Sequence, residues 1–174
     1  MFANGGSPMR YHVMWGTYGS WLPGDPRGFR TRKGRRQVPW DYCHPPPPGT
    51  YDRLHAYAQQ SLKKPPVVLP APLREPLGRA CLERFGLEGV EVFALSVGAE
   101  HVHAALECPG EGLKALVGRA KKVSSHRVRG RLPGRVWQEG CRPIRVRDEA
   151  HWQNVLNYIK SHAPGAWVWV RGDV

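Results

Sequence analysis

The sequence predicts an α+β domain, a small and mostly antiparallel sheet with helices packed on it. Three observations lead there. The chain has 174 residues, 41% of them hydrophobic, which is enough for one ordinary core and suggests one domain over residues 1–174. Short apolar segments of strand character are interspersed with segments whose apolar residues recur at helical spacing. Two of the strand-like segments, VEVFALSV and HVHAALEC, are separated only by GAE, which reads as a hairpin.

Taken in order, residues 10–18, RYHVMWGTY, read as the first strand. A Pro-rich basic loop region follows at about residues 19–71. Eleven of the 17 prolines lie between Pro23 and Pro72, and proline removes the backbone donors that helices and inner strands need. This region holds Arg27, Arg30, Arg32, Lys33, Arg35 and Arg36, with Trp21, Phe29 and Trp40 among them. Cations interspersed with aromatics suit a nucleic-acid single strand, whose phosphates meet the cations and whose bases stack on the rings. A solvated insertion has the same composition. After Pro72 the pattern becomes regular. PLREPLGRACLERFGL places Leu73, Leu77, Ala80, Cys81 and Phe85 at helical spacing. Strands at 90–97 and 101–108 follow, then a helix over 112–128 with Leu113, Leu116, Val117 and Ala120 facing inward. Residues 135–147 predict two short strands around Gly140. Residues 149–162 predict a third helix, and AWVWV a final strand. The sequence has no internal repeats.

Charge points to a partner. The chain carries 26 Lys+Arg against 14 Asp+Glu, a formal charge of +12, and such an excess favours a polyanion, most often nucleic acid. A basic protein without such a partner is the plain alternative. The imbalance is steepest from Gly112 to Arg147, where eleven Lys/Arg face a single acid, Glu139. Lys114, Lys121, Lys122, Arg127, Arg129, Arg131 and Arg135 are therefore expected to contact phosphates, which positions DNA without reading its sequence. No run is apolar enough for a signal peptide or a membrane span, so a cytoplasmic, nucleoid-associated location is expected. The four cysteines, Cys43, Cys81, Cys108 and Cys141, form no CxxC and suggest reduced thiols rather than a disulfide framework or a zinc knuckle.

Two features carry chemistry. Strand side chains alternate faces, so His101 and His103 point one way and Val102 the other. Two imidazoles one strand-step apart can hold one metal ion together, although such triplets also arise by chance. In the third helix, Trp152, Val155, Leu156, Ile159 and Ala163 form an apolar stripe. Tyr158 and His162 lie at i and i+4 on one flank of it, with His151 and Asn154. If the stripe packs on the sheet, this flank can look toward the histidine pair. Read alone, Tyr158 is equally a core residue with its hydroxyl at the edge, and His162 a C-terminal helix cap.

Together these motifs carry a family resemblance. A His-hydrophobic-His strand followed by a helix with a lone tyrosine near its end resembles the HUH nucleases. More narrowly, the chain is similar to the single-tyrosine transposases that act on single-stranded DNA, among them the REP-associated tyrosine transposases. The match runs through YHVMWGTYGSWLPGDPRG, HVHAALE, GCRPIRV and VLNYIKSH…AWV. It is less clear over residues 34–64.

The resemblance implies a ferredoxin-like core with both histidines on a central strand. It also implies Tyr158 as nucleophile, a divalent metal (Mg²⁺ or Mn²⁺), and single-stranded or hairpin DNA as partner. His101 and His103 are then metal ligands. His162 stands where the family commonly has a polar ligand such as glutamine. A third imidazole also suits Zn²⁺. A phenol has a pKa near about 10 and is a poor nucleophile at neutral pH, and a metal on the scissile phosphate offsets this as a Lewis acid. The implied product is a 5′-phosphotyrosine link and a free 3′-hydroxyl, which keeps the bond energy for rejoining. Relatives include dimers in which the tyrosine helix serves the partner's site, so a homodimer and a monomer are both expected states. Two other functions fit the same residues: a domesticated DNA-binding protein of this fold, and a three-histidine metal-dependent hydrolase with Tyr158 as bystander. His126 and Glu139 are candidate proton-transfer groups that spacing does not single out.

Overall fold

The computed structural model describes residues 9–27, 29–30, 36–37 and 47–172. Strands β1 (Met9–Gly16), β4 (Glu91–Val97), β5 (His101–Cys108), β6 (Arg142–Arg145) and β7 (Trp167–Val170) form one sheet in the order β6-β1-β5-β4-β7. Every pairing in it is antiparallel. A two-residue pair, β2 (Phe29–Arg30) and β3 (Arg36–Gln37), stands apart. The helices are α1 (Asp52–Gln60), α2 (Ala71–Leu87), α3 (Leu113–Val128) and α4 (Glu149–Lys160). The succession β1-α2-β4-β5-α3-β6 with β5 and β1 innermost is the ferredoxin-like βαββαβ arrangement that was expected. β7 extends it at the β4 edge. The histidine strand β5 is the middle strand of five.

Alternation decides the two faces of the sheet. Val13, Trp15, Leu95, Val97, Val102, Ala104 and Leu106 point to one face and are closed over by Leu73, Leu77, Phe85, Leu116 and Val117 of α2 and α3. Ala94 and Ala105 point to the other, where α4 lays Trp152, Val155 and Ile159 over them. A bulge between Val92 and Ala94 sends Phe93 to this same side, where its ring meets Trp152 edge-on at 5.2 Å. The bulge thus enlarges the apolar seat of α4. Asp148 starts α4 by accepting the His151 backbone N–H at 2.8 Å, an N-cap bond.

Residues 135–147 give one strand, β6, and a lone bridge from Trp137 to Thr17, rather than two strands. α4 ends at Lys160, and of the expected stripe Ala163 lies exposed beyond it. The region read as loop contains α1, a helix with no buried residue. Its residues do carry an amphipathic helical pattern, but the prolines on either side of it argue for loop. It is held from outside: Gly24, at φ +83°, passes so close to the backbone of Tyr51 and His55 that a Cβ there would clash, and Tyr51 packs edge-on against Phe29 at 5.1 Å.

One close packing is testable. Gly78 lies in the middle of α2, and a Cβ added to it would overlap the Trp167 ring of β7. Gly78→Ala gains helix propensity of about 1 kcal/mol but overpacks this junction at a cost of about 1–3 kcal/mol. The expected outcome is a lower urea midpoint. A raised midpoint contradicts the packing described.

Candidate metal and nucleophile site

The open end of the α4 face carries the chemistry. In register, His103 of β5 stands between Met14 of β1 and Ser96 of β4. His101 lies one step on, at the hairpin mouth. α4 brings Tyr158 in its last turn, and the chain delivers His162 just past the helix end, where its N–H reaches the Ile159 carbonyl at 3.3 Å. His162 is therefore presented by the turn after α4 and not by the helix itself. Gly98 makes room for it: a Cβ at that position would stand 3.1 Å from His162 Cε1.

The structure brings together the four residues that the sequence singled out for chemistry. The rings of His101 and His103 are 5.0 Å apart, those of His101 and His162 4.7 Å, and those of His103 and His162 4.6 Å. Each of these three offers a nitrogen within 4.8 Å of the others. The Tyr158 ring lies 5.0 Å from His103 and 6.0 Å from His162 and stays 50% exposed. His151 turns aside, its Nδ1 accepting from the Arg147 N–H at 3.3 Å. Asn154 is exposed.

A further histidine enters that the sequence reading did not assign. His12 of β1, only 9% exposed, sets its Nε2 2.9 Å from His103 Nδ1. Its ring is 5.9 Å from Tyr158. His12 pairs with Ala105, so it reaches His103 diagonally across two strands. On the other flank Ser96 Oγ stands 3.0 Å from His162 Nδ1. The available signal was a histidine inside the apolar run YHVMW. Only the register, a pairing across some ninety residues, tells that it meets His103.

The residues fit a bound cation. His103 Nε2 is buried with no hydrogen-bond partner, and an unpaired buried nitrogen is costly unless a ligand takes it. His101 Nε2 and His162 Nε2 face each other at 2.7 Å, a contact that a cation bound between them would replace. Burial, with the charge of neighbouring histidines added, pushes His103 down to about 2. Burial likewise lowers His12 and His162 to about 4 each, and it lowers His101. All four rings are thus neutral near pH 7, as nitrogen ligands must be.

The same shifts fix a pH dependence. An unfolded histidine titrates near about 6.5, well above these folded values, so the unfolded chain binds more protons between them. Stability from the neutral rings is complete above about pH 6.5 and is lost as pH falls toward 4. With chelator present, the urea midpoint should be lower at pH 5 than at pH 7. An equal midpoint at the two pH values contradicts the burial of neutral rings.

The expected phosphate-contacting residues divide. Arg32 and Lys33 lie outside the described residues, as do Arg35, Trp40 and Cys43. Arg30 sits on β2. Arg27 is engaged within the fold: its guanidinium bonds Asp25, Glu100 at 2.7 Å and the Ser20 carbonyl, and it lies over the Trp21 ring at 4.6 Å. It ties the loop to the turn that carries His101. Arg127 pairs with Glu83 at 2.6 Å. Lys121 is buried and donates to the carbonyls of Gln138 and Gly140, at 2.6 Å each. Lys122 is exposed. Lys121→Met should cost about 1–3 kcal/mol by leaving two carbonyls short of a donor, read as a lower melting temperature. An unchanged melt would return Lys121 to the surface role expected from charge. Cys81 and Cys108 are buried free thiols, and burial pushes Cys81 up to about 12. No helix of the described residues is long and apolar enough to cross a membrane.

No family model and no curated protein matches the chain. Among solved structures it is similar to one described as the REP-associated tyrosine transposase bound to a REP hairpin. The identity is 12%, with a TM-score of 0.49, over 91% of this chain and 68% of that one.

Proposed function

We propose that the protein cleaves and rejoins single-stranded DNA, with Tyr158 as nucleophile and a divalent cation held by His101, His103 and His162. The observation that carries this reading is the half-exposed Tyr158 ring 5.0 Å from His103, at the edge of a cluster of three neutral imidazoles. The sequence resemblance to single-tyrosine transposases supports the same roles.

In this reading the Tyr158 oxygen attacks the scissile phosphorus in line. A tyrosine–phosphate bond forms, the bond from phosphorus to the 3′-oxygen breaks, the phenolic proton passes to solvent and the 3′-oxygen takes one up. When bound, the cation supplies Lewis-acid stabilisation of the charge on the phosphate. The three imidazoles hold that position neutral and ready. Their donor set is all nitrogen, and among the described residues no carboxylate joins it, which suits Mn²⁺ or Zn²⁺ better than Mg²⁺. Trp21 is 40% exposed beside Arg27, whose partner Glu100 adjoins His101. An unpaired base can stack there as the strand enters.

The test is incubation with labelled single strands, hairpins and duplex in Mn²⁺, with and without chelator. The expected result is metal-dependent nicking of unpaired DNA with label retained on the protein in a denaturing gel. Binding should weaken steeply with salt through counterion release. The same all-nitrogen donor set favours a second reading, a zinc-dependent hydrolase. That reading gains if nicking occurs without label on the protein.

A further inference from the structure

We propose that His12 is the positioning residue that fixes the tautomer of His103 and so aims His103 Nε2 at the cation. This rests on the three-histidine reading above and extends it to the first strand.

The argument is one of donors and acceptors. A neutral imidazole has one N–H and one lone pair. His12 Nε2 and His103 Nδ1 are 2.9 Å apart, so one donates and the other accepts. If His12 donated, His103 would carry its own proton on Nε2. That atom is buried without any partner, and the proton would point into the site and repel a cation. If His103 donates from Nδ1, its Nε2 offers a lone pair to the site, and His12 accepts. Only the second arrangement leaves His103 a lone pair on the side where His101 Nε2 and His162 Nε2 meet at 2.7 Å. Partners of this kind on the far nitrogen fix ring orientation and raise ligand basicity. His162 is treated alike, its Nδ1 facing Ser96 Oγ at 3.0 Å. Both partners come from the sheet strands that flank β5. The rigid sheet, and not the exposed helix end, thus decides which nitrogens face the ion. His12 is itself 9% exposed and held in an inner strand, so the contact is built in.

The experiment uses the whole protein without DNA. Its first arm reads the His103 tautomer in the metal-free wild type from nitrogen-15 to ring-proton correlations. The proton is expected on Nδ1, and finding it on Nε2 overturns the proposal. The second arm measures Mn²⁺ dissociation constants by calorimetry for wild type, His12→Phe and His12→Gln, with folding checked by circular dichroism. His12→Phe keeps the ring and loses the acceptor, so affinity should fall about 10- to 100-fold. His12→Gln retains an acceptor oxygen at similar reach and should restore most of it. Equal affinity in wild type and His12→Phe overturns the role of His12 and leaves the three-histidine site standing. Wild type that binds neither Mn²⁺ nor Zn²⁺ overturns the site itself, and the role of His12 with it. If His12→Phe fails to fold, the tautomer and His12→Gln decide.

Discussion

Tyr158→Phe should abolish the covalent protein–DNA adduct and leave the rest of the molecule as it was. The substitution removes one oxygen. The Tyr158 ring is half exposed, and the seat of α4 is made by Trp152, Val155 and Ile159, so the helix should pack unchanged. Metal affinity should survive, because the nitrogens proposed to hold the cation belong to His101, His103 and His162. DNA affinity should survive as well, since a lost phenol oxygen removes no cation from the proposed phosphate contacts. Only the bond-forming step loses its nucleophile, and strand transfer with it. A variant that still forms adduct at the wild-type rate removes Tyr158 from the chemistry.

His103→Ala should lose cleavage about as completely, for a different reason. His103 has the deepest ring of the cluster, and it makes ring contacts with His12, His101, His162 and Tyr158. Its loss would remove one of the three imidazoles proposed to hold the cation. Several kcal/mol of charge stabilisation then disappear, a fall of about 10³-fold or more in rate. His162→Ala should cost less, because His162 is half-buried at a turn where water can fill one position. Cleavage by His103→Ala within a few-fold of wild type, in a protein shown to be folded, contradicts the metal assignment.

Much of this site was legible because it is local. The alternation His-Val-His puts two rings on one face of any strand, and β5 obeys it: Val102 is buried in the opposite core. Tyr158 sits where helical spacing puts it, on the flank of the stripe led by Trp152, whereas His162 reaches the same place from the turn past Lys160. The parts that escaped are long-range or unburied. His12 meets His103 through a strand register, which a single strand does not encode. Ser96 carries no chemical signal until β4 is aligned beside β5. α1 is amphipathic but short and set among prolines, and those breakers outweigh its period. Charge alone does not separate buried cations from exposed ones. Lys121 and Arg127 both count toward the basic excess, but the Lys121 amino group is buried on two carbonyls, whereas Arg127 is exposed in a surface pair with Glu83.

The central claim is that this tyrosine, beside these histidines, takes the phosphate. It is tested most directly by digesting the gel-isolated adduct formed on single-stranded DNA in Mn²⁺ and locating the nucleotide-bearing residue by mass spectrometry. The account predicts a nucleotide 5′-phosphate on Tyr158. The same modification on Tyr11, Tyr18, Tyr42, Tyr51 or Tyr57 contradicts it, and so does cleaved DNA with free 5′-phosphates and an unmodified protein.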